Sequence, residues 1–431
     1  MYIRSKDLRR EVIMVTHSKK YENGIILLFF LTWGFLFIDR LAISFIFPVI
    51  VPDLGLTNGQ VGTINMSFTI MWGISAIAVS AIADKVGNLK RWLVVCGFLT
   101  AIFGGCCALA QSYVSLLLLR ALVGIAEGPF STFIMAALGK SVRGERLGLS
   151  VGIVNCGVSV IAATLGPICL TQLVAVTSWQ VAFLIAAAPG FILMICVAAF
   201  VKPIPDEKKE DVVAADDGSD NNLSRKSMFG ELWSYRNFRV CFFLAMTHMS
   251  GYYIIQIYAS LYWTEIAKIS VQTAGLLISI SGFISIFWAI FLPKLSDIFG
   301  RKSILAISYI VALLTPLTMW LMPGTTFAMV CYAAFAGIPG AIGIFWINLI
   351  PMESLPPYLT STGISIPMSM GEFIGGALIT TIAGFVADAV GLSNMMILAA
   401  CGYALSLLLA LRVIECAPRV LGRRNEKKQK A

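Results

Sequence analysis

The sequence predicts an all-α membrane protein with twelve transmembrane helices in two pseudo-symmetric six-helix bundles. The chain is 58% hydrophobic and only 13% charged, with a mean hydropathy of +0.85, whereas soluble domains average about 25% charged residues. It contains apolar runs long enough to cross about 30 Å of hydrocarbon as helices. A charged loop motif also recurs at the same position in each half of the chain. Together these observations predict a duplicated helical membrane protein.

Each apolar run is interpreted as one membrane-spanning helix. The runs cover residues 24–50, 60–83, 92–111, 113–139, 147–170, 179–201, 240–263, 272–293, 303–322, 326–350, 361–387 and 394–414. The first run is too long for a cleaved signal peptide and contains Asp39 and Arg40, so we expect the mature chain to retain it.

A polar segment, residues 202–239, divides the helices six and six. Its central stretch is rich in Asp, Lys and Ser and poor in apolar residues, a composition that favours a disordered linker. The predicted organisation is a cytoplasmic tail, an N-terminal six-helix bundle, a cytoplasmic linker, a C-terminal six-helix bundle and a basic cytoplasmic tail. These parts cover residues 1–23, 24–201, 202–239, 240–414 and 415–431.

Basic residues predict the orientation of the chain. Of the 32 Lys and Arg residues, 29 lie in the tails, the linker and the loops of one side, and only Lys268 lies on the other side. The positive-inside rule then places both termini in the cytoplasm and the helices in the plasma (inner) membrane, surrounded by lipid. The net charge of +9 is thus a topology signal. We expect no nucleic-acid partner, because no folded basic domain is apparent.

The cysteine pattern argues against a metal site. The ten cysteines are scattered, nearly all within the apolar runs, and they neither form a CxxC motif nor pair with the two histidines. We therefore expect no metal and no cofactor, and we expect the protein to be a monomer.

The repeated motif lies in the loops that follow the second and eighth helices. SAIADKVGNLKR (80–91) and PKLSDIFGRKS (293–303) each place a Gly three residues after an Asp, followed by basic residues. The Gly permits a tight turn, and the Asp can cap or pair across the gap between helices. Six residues of these loops are predicted to act in gating: Asp84, Gly87, Arg91, Asp297, Gly300 and Arg301. For the basic ones, the alternative is that they only determine the topology of the chain.

Charged residues inside the predicted helices indicate function. Asp39 and Arg40 are adjacent in FLFIDRLAISFIF, and Arg120 and Glu127 are seven residues apart in LLLLRALVGIAEGPF. A spacing of seven returns to nearly the same face of a helix. A charge near the bilayer centre costs about 2.5 kcal/mol or more, so it normally faces a water-filled or protein-lined pathway. The alternative is that these four side chains are static braces between helices.

These motifs resemble known families. The two loops resemble the G-x-x-x-D-[RK]-x-G-[RK]-[RK] signature of the major facilitator superfamily, although Ser80 and Pro293 replace its first glycine. The Asp-Arg pair of the first helix, R-x-x-x-G-x-x-E in the fourth and SWQVAFLI (178–185) in the sixth resemble the anion:cation symporter family. That resemblance implies transport of organic anions such as sugar acids or aromatic acids, usually with protons in bacteria.

The residue chemistry agrees with that implication. Arg binds a carboxylate through two parallel hydrogen bonds and stays charged, so Arg40 and Arg120 are predicted to bind the substrate. Asp39 and Glu127 are predicted to carry protons, because a carboxylate near an Arg gains or loses its proton as partners change. Further polar residues in the fifth, seventh and tenth helices are predicted to contact the substrate, and interhelical packing is the alternative for each. They are Asn155, Tyr252, Gln256, Tyr258, Trp346 and Asn348. Tyr253 on the seventh helix and Ser365 on the eleventh are further candidates of the same kind.

The leading hypothesis is a proton symporter that imports a small organic anion by alternating access, with its site near the midplane between the halves. One alternative is a proton-driven efflux antiporter for amphipathic compounds, which the many aromatic residues would suit. Another is a receptor that has lost transport, although such a protein usually has an added signalling domain. We do not expect an enzyme, because no phosphate-binding Gly loop or nucleophile–base pair is apparent. The roles of Glu372 and His248 stay open.

Overall fold

The computed structural model describes residues 18–204 and 229–422. This part of the chain forms twelve helices that are long and apolar enough to cross a membrane. In chain order they are α1 (Lys19–Leu54), α2 (Asn58–Val86), α3 (Leu89–Leu109), α4 (Tyr113–Ser141), α5 (Arg146–Val176), α6 (Trp179–Phe200), α7 (Arg236–Glu265), α8 (Val271–Phe299), α9 (Arg301–Leu321), α10 (Thr326–Ser354), α11 (Tyr358–Val390) and α12 (Leu392–Ala410).

The prediction of twelve membrane helices is confirmed, and the differences lie at helix ends. The first helix begins at Lys19, preceded by Ser18 as its N-cap, and α7 begins at Arg236. Most of the predicted linker, 205–228, and the outer parts of both predicted tails, 1–17 and 423–431, lie outside the described residues. Residues 229–234, at the end of that linker, are helical.

The helices pack into two six-helix halves. In the first half α4 packs on α2 and α3, and in the second half α12 packs on α7 and α9. The main contacts between the halves join α2 to α11 and α5 to α8. Large apolar side chains remain exposed on the outer surface, where they would meet lipid tails. Examples are Ile77, Leu118, Ile192, Phe283 and Ile310.

Two glycines bring α4 very close to α2. A Cβ atom on Gly124 would lie 2.4 Å from the carbonyl oxygen of Phe68, and one on Gly128 would lie 2.2 Å from that of Trp72. Only glycine fits at such distances, so any larger residue would force the two helices apart. This approach holds the charged face of α4 against the aromatic side chains of α2.

The halves are fastened together at the end where α1 ends and α2 begins, which we call the joined end. The Asp388 carboxylate of α11 accepts hydrogen bonds from the backbone N–H groups of Asn58 and Gly59, both at 2.8 Å. The Tyr258 hydroxyl donates to the Asn58 carbonyl oxygen at 3.0 Å. All hydrogen bonds and ion pairs recorded between described residues of different halves lie at this end or mid-helix.

Three of the helices contain wide π-helical turns. These turns are Val158–Leu165 in α5, Phe345–Leu349 in α10 and Gly371–Ile379 in α11. π-Helical turns shift the direction of side chains and occur frequently at functional sites. In α11 the turn contains Glu372, and in α10 it contains Trp346 and Asn348.

Candidate functional site

Arg40, in the middle of α1, is the centre of the candidate site. Its Nη2 atom donates to the Tyr253 hydroxyl oxygen at 3.0 Å and lies 3.6 Å from Oε2 of Glu372. Its Nη1 atom lies 3.9 Å from Oε1 of Glu127, and the Arg40 side chain is 11% exposed. One guanidinium therefore contacts α4 of its own half and both α7 and α11 of the other half.

Aromatic rings enclose the Arg40 guanidinium. Its central carbon lies 5.3 Å from the ring centre of Phe37, 5.1 Å from that of Phe68 and 5.4 Å from that of Trp72. A cation at such distances from a ring face is attracted to it, more strongly where water is excluded. The rings hold the cation in the membrane interior while its hydrogen-bonding edge stays directed at polar groups.

Arg120 binds the main chain of α1. Its Nη1 atom donates to the carbonyl oxygen of Asp39 at 2.8 Å, and its Nη2 atom donates to that of Arg40 at 3.0 Å. The side chain is fully buried and also lies against the Phe68 ring, 4.8 Å from its centre. Arg120 thus braces α4 against α1 immediately beside Arg40, and its direct contact with a substrate stays a prediction.

The two predicted proton carriers are buried carboxylates. Asp39 points at α3, where a Cβ atom on Gly104 would lie 2.8 Å from the Asp39 Cγ atom. Both Asp39 and Glu127 are 1% exposed, and no carboxylate oxygen of either accepts a hydrogen bond within the described chain. Burying an ionised carboxylate without hydrogen bonds is costly, so both positions are chemically suited to take up and release protons.

Four of the other predicted substrate residues lie on α7 and α10 of the second half, and Tyr252 lies beside Tyr253 of this site. Tyr252 stacks on His248, with ring centres 6.2 Å apart, and its ring meets that of Tyr253 edge-on at 5.4 Å. Gln256, one turn further along α7, has a buried Oε1 atom without a hydrogen-bond partner among the described residues. Trp346 is fully buried against His248, and Asn348 is half-buried on the same π turn.

The structure places the remaining two predicted substrate residues elsewhere. The fully buried Tyr258 uses its hydroxyl at the joined end, as described above. Asn155 is exposed, and its side-chain amide donates to the Val151 carbonyl oxygen of its own helix at 3.0 Å. Neither residue contacts Arg40, because Tyr258 lies at the joined end and Asn155 lies on an exposed face of α5.

Several residues around Arg40 were absent from the predicted site. The three rings of Phe37, Phe68 and Trp72 were not predicted, although Phe37 lies three residues before Arg40 on one helix face. Tyr253 was a candidate for substrate contact, but the hydrogen bond that it accepts from Arg40 was not predicted. The role of Glu372 was left open, and its partner is 332 positions away in sequence. His248 is buried and hydrogen-bonded with the Tyr309 hydroxyl at 3.0 Å, inside an aromatic cluster.

The predicted gating residues lie at two helix junctions with different surroundings. The structure places only Gly87 and Gly300 between helices, and the other four residues lie in the adjoining helix ends rather than in loops. After α8, Gly300 adopts a φ of 101°, and the Arg301 guanidinium forms ion pairs with Asp297 at 2.7 Å and Glu353 at 2.6 Å. After α2, Gly87 adopts a φ of 78°, while Asp84 and Arg91 are exposed. Both glycines occupy backbone conformations that disfavour other residues.

Comparisons with known proteins place this architecture in a family. The family model described as Major Facilitator Superfamily matches residues 27–380. A hexuronate transporter of Bacillus subtilis is 32% identical over 190 residues, which are 44% of each chain, so the match spans less than half of that relative. A probable 4-methylmuconolactone transporter of Cupriavidus pinatubonensis is 23% identical over 84% of this chain and 83% of its own. A probable sulfoacetate transporter of Cupriavidus necator is 30% identical over 40% of this chain and 39% of its own.

Solved structures share the fold. An inward-facing, unoccupied bacterial homologue of the human lysosomal transporter Spinster superposes with a TM-score of 0.76 at 16% identity, covering 92% of this chain and 97% of that one. A nucleoside transporter superposes with a TM-score of 0.72 at 17% identity, covering 90% and 98%. The family match across most of the chain, the twelve membrane helices and this shared architecture show that the protein belongs to the major facilitator superfamily of membrane transporters.

Proposed function

We propose that the protein imports a small organic anion, a carboxylate such as a sugar acid or an aromatic acid, together with protons by alternating access. Both termini would be cytoplasmic, and the protein would act in the plasma membrane. In this orientation the joined end faces outward. The relatives named for hexuronate, sulfoacetate and methylmuconolactone transport support this class of substrate.

The position of Arg40 is the observation that carries the proposal. A buried cation in the membrane interior needs an anionic partner, and the two carboxylates nearest to its guanidinium are 3.6 and 3.9 Å away. Neither forms a close bidentate pair with it, which would require distances near 2.8 Å. The Arg40 guanidinium thus has hydrogen-bonding capacity for a substrate carboxylate at the boundary between the halves.

Glu127 and Asp39 would couple this binding to protons. Glu127 lies beside Arg40, so a substrate carboxylate on Arg40 would withdraw positive potential from Glu127 and favour a proton there. Asp39 is adjacent to Arg40 in sequence and lies under the Arg120 brace. Movement of Arg120 relative to α1 would thereby change the electrostatic environment of Asp39.

The second half would select the anion with mostly neutral groups. Tyr252, Gln256, Trp346 and Asn348 lie on α7 and α10 and supply hydroxyl, amide and ring surfaces. In this proposal Arg120 positions Arg40, Tyr258 fastens the joined end, and direct binding rests on Arg40 and these four residues. The loop residues Asp84, Gly87, Arg91, Asp297, Gly300 and Arg301 would control movement of the halves.

Uptake into proteoliposomes tests the function directly. Purified protein is reconstituted, and radiolabelled glucuronate, galacturonate or sulfoacetate is offered outside with an inward proton gradient. One coupled proton per anion allows about tenfold accumulation per unit of pH gradient, and collapse of the gradient by an ionophore should abolish it. Failure of all three anions to accumulate would contradict the proposal. Outward movement of amphipathic cations driven by the same gradient would instead favour the efflux antiporter.

A further inference from the structure

Glu372 is a third buried carboxylate, and the proposed function leaves it without a role. It lies at the start of the π turn Gly371–Ile379 of α11 and is 9% exposed. The Tyr253 hydroxyl contacts both carboxylate oxygens, at 2.8 Å for Oε2 and 3.0 Å for Oε1. The same hydroxyl accepts a hydrogen bond from Arg40. Glu372 is therefore linked to Arg40 both directly, at 3.6 Å, and through Tyr253.

This arrangement crosses the boundary between the halves. Arg40 belongs to α1 of the first half, whereas Tyr253 and Glu372 belong to α7 and α11 of the second. In the absence of substrate, Glu372 supplies the second half's own carboxylate to the cation that a substrate anion would need. A carboxylate in that position competes with the substrate for Arg40.

We propose that Glu372 is a proton-linked internal competitor of the substrate. When the site is empty, ionised Glu372 holds Arg40; when an organic anion binds Arg40, Glu372 is displaced and takes up a proton. Only the O–H bond of the acid forms, with a proton delivered by hydronium from the aqueous side that the anion enters from, which leaves a water molecule. This inference rests on the proposed function.

The charge balance of the site supports this role. Two cations, Arg40 and Arg120, face three carboxylates, those of Asp39, Glu127 and Glu372, in the middle of the described helices. With all five ionised the site carries one net negative charge, which opposes the entry of an anion. One proton makes the site neutral and two make it positive. An anion is thus accommodated only together with protons.

The groups that face Glu372 leave it no other cation. From α1 it meets Arg40, and from α7 it meets Tyr253 and, slightly further away, Tyr252. The neighbouring α2 meets α11 where Gly73 lies against the Phe373 ring. This helix contains no Asp, Glu, Lys or Arg before Asp84. Once a substrate occupies Arg40, an ionised Glu372 would therefore be buried without a cationic partner, which is costly.

The decisive variant is Glu372→Gln, because a Gln side chain keeps the shape and can still accept the Tyr253 hydrogen bond without a charge. Binding of glucuronate, galacturonate and sulfoacetate is measured by calorimetry at pH 5.5 and pH 8, with proton uptake followed by a pH dye in weak buffer. At pH 8 the variant should bind about tenfold more tightly than wild type, and the difference should be smaller at pH 5.5. Proton uptake should fall by about one per bound anion.

Two controls separate this role from a structural one. Glu265→Gln changes an exposed carboxylate at the end of α7 and should behave like wild type. Glu372→Asp restores a carboxylate and should restore proton uptake. If wild type binds an anion and Glu372→Gln shows the same affinity and proton uptake, the inference is wrong while the proposed function stands. If wild type binds none of the three anions, both fail.

Discussion

The two halves of the molecule distribute their charges differently although they share one architecture. The first half contains four charged residues in its membrane interior, Asp39, Arg40, Arg120 and Glu127, whereas the described second half contributes Glu372 and the imidazole of His248 at this depth. Around Glu372 the second half presents tyrosines, an amide and a tryptophan. The comparison teaches that the two halves share one helical architecture while most of the buried charges lie on one side of the boundary.

The equivalent loops of the halves differ in the same way. After α8, Arg301 is buried, pairs with Glu353, and its backbone N–H donates to the Glu415 carboxylate at 2.9 Å. At the junction of α2 and α3, Asp84 and Arg91 are exposed. The second loop, between α8 and α9, is thus fastened within its own half, whereas the first, between α2 and α3, presents these two side chains at the surface.

Removing Arg40 should have the largest effect, because the first half would lose the only cation that reaches across the boundary in the described chain. Arg40→Ala removes the proposed partner of the anion and also the cation that lies within 4 Å of Glu127 and of Glu372. Truncation of one member of a buried charge pair costs about 2–5 kcal/mol, so glucuronate affinity should fall by about 30-fold or more. Calorimetric titration and uptake assays measure this loss.

Arg40→Lys is the matched control for that prediction. Lysine keeps the positive charge but cannot form the two parallel hydrogen bonds of a guanidinium. We expect binding between those of wild type and Arg40→Ala. Wild-type affinity in Arg40→Ala would remove the arginine from the binding site and with it the asymmetry between the halves.

Glu127→Gln should remove one coupled proton while leaving binding in place. The amide cannot carry the proton, so accumulation of glucuronate under a pH gradient of one unit should fall by about tenfold. Exchange of internal for external glucuronate requires no net proton movement and should persist. Proteoliposome uptake and counterflow are measured side by side, with Glu265→Gln as the exposed control. Undiminished accumulation by Glu127→Gln would assign the coupling proton elsewhere.

The helices and the buried charged residues of the two halves could be predicted from the sequence, but the contacts between helices could not. Twelve apolar runs, each near the length of a bilayer crossing, identify the helices, and two adjacent charged residues inside an apolar run identify Asp39 and Arg40, because both signals are local. The partners of Arg120 were not predictable in this way. Its spacing from Glu127 indicates a shared face, but binding to the α1 carbonyl groups depends on how closely Gly124 and Gly128 let α4 approach its neighbours.

Contacts between the halves were the least predictable part. The Arg40–Glu372 and Asp388–Asn58 contacts join residues more than 300 positions apart, and nothing in a local pattern specifies which helices of two bundles will face each other. The π turns in α5, α10 and α11 add to the difficulty, because they rotate the following side chains relative to a regular helix. Tyr258 is an example: in sequence it is one more polar residue on α7, but its position at the boundary between the halves lets its hydroxyl bind the Asn58 carbonyl oxygen at the joined end.

The difference between the two loops predicts different costs for similar substitutions. Arg301→Ala leaves Glu353 and Asp297 without their partner in a largely buried network, which should destabilise the protein by about 2 kcal/mol. Arg91→Ala changes an exposed side chain and should cost less than about 0.5 kcal/mol. Thermal unfolding in one detergent compares the two variants. Equal melting temperatures would show that the second loop is no more firmly fastened than the first.

At the joined end the charged group belongs to the second half, in contrast to the membrane interior. There a carboxylate of the second half stabilises a helix of the first. Asp388 accepts from the first two N–H groups of α2, a position where negative charge is favourable, and Asp388→Asn should weaken this contact by about 1 kcal/mol. Hydrogen exchange of the Asn58 and Gly59 amides, measured by mass spectrometry, should then accelerate about fivefold. Asp53→Asn is the control, since the Asp53 carboxylate accepts from the Trp179 indole at 2.5 Å within the first half. If Asp388→Asn leaves exchange unchanged while the helices stay folded, the fastening of the joined end depends on the packing of Phe385 against Gly59 rather than on charge. Within the described chain, Arg40 would then be the one place where a charge of one half stabilises its contact with the other.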